Sequence, residues 1–221
     1  MRGDIHFVGE TALRFFGKMS ASISHEIKNV LAIINENAGL LEDFTLMAKK
    51  GIPLDPERLK KLSGMVIKQI QRGDEIIKNM NRFSHSIDES SKKVDLYETL
   101  DLMVALSARF ASMRGVILDF VQADSDMTSL SIKTNRFYLE NLIWLCLDFA
   151  MDAAGSGKTV ELSVEQTGNS GRICFMHLEN LNDMPADTFP NEEMRALLET
   201  IKAEIITDIG EKKLILNIFE T

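Results

Sequence analysis

The sequence predicts an α+β protein, a long antiparallel helical hairpin followed by a smaller domain that mixes helices and strands. Three observations carry this. Between Phe16 and Phe44, large apolar residues fall at Phe16, Met19, Ile23, Ile27, Val30, Ile34 and Leu41, in steps of three, four and seven. That is the stripe of an amphipathic helix. A second stripe, Leu59, Leu62, Val66, Ile70, Ile77 and Met80, follows after the loop Gly51-Ile52-Pro53. Beyond residue 90 the pattern shortens into alternating runs punctuated by glycines.

Taken in order, residues 1–10 read as a lead-in to the first helix, which runs from about Glu10 to about Lys49. Asp55 followed by Pro56 is a cap and a first-turn proline, opening a second helix that ends near Ser86. A short loop between two long helices makes an antiparallel pair. One hairpin leaves part of both stripes uncovered, so the sequence predicts a homodimer closed as a four-helix bundle. Residues 87–93 are polar and serine-rich, a linker that divides the chain into a 1–90 domain and a 91–221 domain. Asp95 and Glu98 form a capping-box variant for a helix that stops at Gly115. Strands are expected at 116–121 and 130–132. Thr134 or Asn135 caps a helix through Ala154, closed by Gly155-Ser156-Gly157. Residues 159–166 and 172–178 alternate as strands about the turn at 167–171. A helix over 191–202 precedes a closing hairpin, 204–209 and 212–219. A continuation of that helix through Ile209 is the competing reading.

Composition narrows the function classes. The net charge is -8 and no basic block occurs, which argues against a nucleic-acid footprint. No apolar run approaches the roughly 20 residues of a membrane span, and no signal-peptide core stands at the start. Cys146 and Cys174 lie in apolar surroundings and read as buried thiols of a reducing, cytoplasmic compartment. The four histidines are scattered and no CxxC occurs, so no metal site is expected.

On the first helix His25 is off the apolar stripe, at about 100° per residue roughly opposite Ile23 and Ile27. Lys18, Ser22, Asn29 and Glu36 share that far side. The helix thus offers an imidazole to water, with the carboxylate of Glu26 next in sequence and the amide of Asn29 one turn on. Alone, such a histidine would be an ordinary surface residue. His6 and His177 lack any such partners, and His85 beside Ser84 and Ser86 reads as a solvated helix end.

The run His25-Glu26-Ile27-Lys28-Asn29-Val30-Leu31 resembles the phosphoacceptor box of two-component histidine kinases. The family usually has Pro where Val30 stands, and its kink is therefore not expected here. The element order after residue 90 is similar to the ATP-binding domain of that family, an α/β sandwich shared with gyrase and Hsp90. The residues carrying this second likeness include Asn141-Leu142 and Ala150-Met151-Asp152-Ala153-Ala154. The resemblance implies that His25 is the phosphoacceptor. It assigns Glu26 to steadying the ring or taking its proton, and Asn29 to orienting a water or the phosphoryl group.

The same resemblance implies a lost nucleotide site. The family's magnesium-binding Asn aligns with Phe149, and Asp148 is turned off that position by about 100°. The glycine-rich motif after the hairpin is replaced by the stretch from Glu179 to Pro185, with Leu181 and Asp183 at the glycine positions. Residues 194–202 contain no glycine. The chain therefore resembles kinase-derived histidine phosphotransferases. These pass a phosphoryl group between receiver-domain aspartates without ATP, with magnesium held by the receivers and no cofactor of their own. Lys18, Ser22, Lys28 and Ala32 are then the expected receiver contacts, the small Ser22 and Ala32 permitting close approach. The alternatives are a sensor histidine kinase with a divergent ATP site, a non-catalytic pseudokinase, and a receiver phosphatase that uses Asn29 to place water.

Overall fold

A computed structural model describes residues 2–88, 91–121, 129–168, 170–183 and 189–220, with side chains from Val8 onward. By packing, these fall into two compact units, residues 19–82 and residues 1–18 together with 83–221.

The first unit is a helical hairpin, made from the larger part of α1 (Arg2–Lys49) and nearly all of α2 (Pro56–Ser84). Gly51 ends α1 at φ 83, a left-handed conformation that costs glycine nothing, and its N–H returns to the Ala48 carbonyl at 3.0 Å. Asp55 caps α2 as expected, its carboxylate accepting from the Glu57 N–H at 3.0 Å. Met19, Ile23, Val30 and Leu62 are buried. Asn37 is buried with them; its amide donates to the Ile33 carbonyl at 2.7 Å, and its Oδ1 has no partner among the described residues. The α2 stripe divides in two. Leu62 faces inward, whereas Ile70 and Ile77 stay about half exposed, at 57% and 48%. With Ile67 and Met65 they leave an apolar surface that a single hairpin does not cover.

In the second unit α1 starts eight residues earlier than the sequence reading, at Arg2. The reason is a stripe that reading began too late: Val8, Thr11, Phe15 and Met19 are all buried, at helical spacing. Phe15 meets Phe83 edge-on at 5.4 Å between centroids and Phe137 at 5.5 Å. This aromatic cluster joins the start of α1 to the chain after residue 83, which is why packing does not divide the chain at its polar linker.

The rest is an α/β sandwich. Its helices are α3 (Leu96–Arg114), α4 (Arg136–Ala153) and α5 (Glu192–Ile201). The main sheet runs β2-β4-β5-β7-β6, from Ile117–Phe120, Thr159–Thr167, Ser170–Met176, Lys213–Phe219 and Ala203–Asp208. Only β2 and β4 are parallel; the other neighbours are antiparallel. Helix propensity does not extend α5 past Ile201, because Ile205 pairs with Leu216 and β6 forms the edge of the sheet. Residues 92–95, assigned in part to the linker, are strand β1, paired antiparallel with β3 (Ser131–Thr134). Two expected caps are present, Asp95 on α3 and Asn135 on α4, and Asn191 caps α5 as well, each accepting from the N–H three residues on. The central face of α4 is wholly apolar, with Leu139, Leu142, Ile143, Cys146, Leu147 and Ala150 at 0% exposure. Both cysteines are free and buried. Burial, helped by the charge of Glu165, pushes the Cys174 thiol up to about 11. Part of the expected 167–171 turn and of the 179–185 stretch lies outside the described residues.

Candidate phosphoacceptor site

His25 lies mid-helix in α1 and is exposed. Lys28, Asn29 and Ala32 are exposed too, and their spacing of three, four and seven from His25 puts all four on one helix face. An imidazole, an ammonium and an amide therefore share an open surface, with a small residue beyond them.

Glu26 is different. Adjacent residues on a helix do not face each other, and the Glu26 carboxylate engages α2 instead. Arg72 Nη2 donates to Glu26 Oε2 at 2.7 Å, and the Glu26 side chain keeps 24% of its exposure. Arg72 was not singled out in the sequence, since nothing in local spacing links residues 46 apart. The signal that could have found it is its neighbour Gly73, a glycine inside a helix, which costs about 1 kcal/mol against alanine. A Cβ there would come within 3.3 Å of Val30 Cγ1. The glycine marks where α2 runs closest to the segment after His25.

Two expected contact residues are placed otherwise. Ser22 is 2% exposed, so it offers no surface to a partner. The far side of the helix is open from His25 onward and closed one turn before it. Lys18 belongs to the other compact unit. Its ammonium lies 4.5 Å from the centre of the Trp144 ring, 5.4 Å from that of Phe110, and 3.8 Å from Asp148 Oδ2. Of the other histidines, His85 is exposed and bonded to Asp88 at 2.8 Å, and His177 is exposed and 3.2 Å from Glu161.

The residues at the family's nucleotide positions pack against one another in an aromatic stack and a set of ion pairs. Phe149 stacks on Phe189, with centroids 3.8 Å apart and planes at 18°. Asp148 accepts from Arg114 at 2.7 Å, and Arg114 also binds Asp152 at 3.0 Å, so both carboxylates are engaged. Gly155 has φ 64, and a Cβ on it would stand 2.6 Å from the Glu179 Cβ. The Asn180 N–H donates to the Ala153 carbonyl at 2.9 Å, and Leu181 is buried. The 179–181 segment is thus closed down on the end of α4. An aromatic stack and ion-paired carboxylates do not suit a magnesium–triphosphate, which needs free oxygen ligands and bare backbone. Among the described residues no cluster of His, Cys, Asp and Glu could hold a metal ion, and no helix is long and apolar enough to cross a membrane.

No protein-family model and no curated protein matches this sequence. Several solved structures are similar to it at low identity. Histidine kinase AdeS of Acinetobacter baumannii is 12% identical, covering 89% of this chain and 98% of its own, with a TM-score of 0.46. A histidine kinase from Burkholderia phymatum is 14% identical over 91% of this chain and 95% of its own, at 0.43. Histidine kinase ThkA, solved in complex with response regulator protein TrrA, is 20% identical over 95% of this chain and 63% of its own, at 0.46. The architecture seen here, a helical hairpin followed by an α/β sandwich, is the one expected from the two apolar stripes and from the element order after residue 90.

Proposed function

We propose that this chain is a histidine phosphotransferase of a two-component phosphorelay. It takes a phosphoryl group from a receiver-domain aspartate onto His25 and passes it to a second receiver, without ATP. The single observation that carries the reading is the open face of α1, where His25 stands exposed with Lys28 and Asn29. The stack of Phe149 on Phe189 supports the absence of a nucleotide step.

The chemistry follows from the groups. A neutral imidazole, with a reference pKa of about 6.5, carries a free lone pair near pH 7. That lone pair attacks phosphorus, the P–O bond to the aspartyl carboxylate breaks, and the carboxylate leaves with the bonding electrons. The second ring nitrogen keeps its proton, and Glu26, next in sequence, supplies the nearest negative charge along α1. Lys28 offsets phosphoryl charge. Positioning and charge do most of the work in such transfers, and magnesium belongs to the receiver. Residues 1–90 form the dimerisation and phosphoacceptor part, and residues 91–221 the degenerate ATP-binding-like part. The half-exposed Ile67, Ile70 and Ile77 are covered by a second copy, closing a four-helix bundle in the cytoplasm.

The test is incubation with phosphorylated receiver domains, following label onto this chain. Label on His25, with no label taken from ATP, is the expected result; ATP-dependent labelling would move the assignment to a kinase with a divergent site. Asn29, exposed one turn from His25, favours one second reading, a receiver phosphatase. In that case Asn29→Ala removes receiver dephosphorylation while His25→Ala spares it.

A further inference from the structure

The Glu26–Arg72 pair joins the two helices one residue from the acceptor, at a level where Gly73 lets them come close. Arg72 keeps 47% of its side-chain exposure, so its guanidinium has room to turn. Before transfer the pair is neutral as a whole. After transfer His25 carries a phosphoryl group of about -2 charge at most, on a Cα about 3.8 Å from that of Glu26. A guanidinium bonded to Glu26 thus lies one residue along α1 from the new anion. Its planar fork matches two phosphoryl oxygens, which the point charge of Lys28 does not.

We propose that Arg72 is a positioning residue that changes partner during the reaction. It holds Glu26 while His25 is free and turns to the phosphoryl group once His25 carries it. The inference rests on His25 as the acceptor. The exchange gives up one charge-assisted hydrogen bond and makes another, so it holds the phosphoryl group without trapping it.

Phosphoramidate tests this without any receiver. A His25 ring nitrogen forms the new N–P bond, the P–N bond of phosphoramidate breaks, and its nitrogen leaves with the electron pair and a proton as ammonia. The full-length chain is labelled, and the lifetime of the phosphohistidine is followed by phosphorus NMR. The side-chain Nε–H resonance of Arg72 is followed in parallel. In the wild type that resonance shifts as label accumulates, and it does not shift in His25→Ala. Arg72→Ala shortens the phosphohistidine lifetime by about three- to tenfold, and Arg72→Lys falls between. A plain clamp between helices would lower the melting temperature of Arg72→Ala and leave the lifetime unchanged, which overturns the proposal while His25 labelling stands. If Arg72→Ala does not fold, the wild-type resonance decides: a signal that stays still during labelling overturns it. No label on His25 in the wild type removes the acceptor reading itself, and this inference with it.

Discussion

The hairpin unit and the α/β unit treat their polar groups in opposite ways. On the hairpin, His25, Lys28 and Asn29 face water, and the one carboxylate among them is held by a single arginine that remains half exposed. In the α/β unit, the corner where the resemblance places a nucleotide is closed by the Phe149–Phe189 stack, and Asp148 and Asp152 are spent on Arg114. On the proposed function, one unit keeps reactive groups free to meet a partner. The other has traded free groups for packing. Selection for chemistry and selection for stability can thus act on separate parts of one chain, because a filled pocket contributes apolar contact where an empty polar one would cost desolvation.

The strongest way to break this contrast is His25→Ala. It removes the nucleophile outright, so label uptake from a phosphorylated receiver should fall to background, with circular dichroism unchanged because the residue is exposed. Retained transfer would make the open face incidental. Next in size is Gly155→Ala, which forces a side chain into a left-handed backbone and against Glu179. It should destabilise the α/β unit by about 2 kcal/mol, read as a lower denaturant midpoint. Phe149→Asn puts back the family's residue type. It should cost about 1–2 kcal/mol through the lost stack and still give no ATP binding by calorimetry, because Leu181 is buried and the 179–181 segment stays closed. Binding restored by that single change would show that the corner was plugged rather than rebuilt. The smallest effect is expected for Lys18→Met, which keeps the stem over Trp144 and removes the charge. A loss below about 1 kcal/mol is expected, visible as a slight fall in melting temperature at low salt.

Much of the fold was legible because it depends on periodicity and punctuation. The helix caps at Asp55, Asp95 and Asn135 are local events, written in three or four residues. Strand β1 was not legible. Of Lys92–Asp95 only Val94 is buried, so there is no alternation to see, and the pairing with Ser131–Thr134 is made at long range. The early start of α1 was missed because Val8 alone extends the buried stripe ahead of Glu10 among the residues with described side chains. At the site, the composition of the His25 face could be read from helical geometry alone. The burial of Ser22 and the reach of Arg72 to Glu26 could not, since each depends on what the chain brings near after folding.

Asn37 carries a consequence of its own. An amide in the seam of a hairpin, one oxygen left without a partner among the described residues, is a thermodynamic concession. An apolar side chain there would hold more tightly, because it would leave no buried oxygen unpaired. The amide makes no bond to α2 among the described residues: its donor returns to the Ile33 carbonyl of its own helix, so the unpaired oxygen is a cost that Asn37→Leu would remove, with a higher melting temperature for the hairpin.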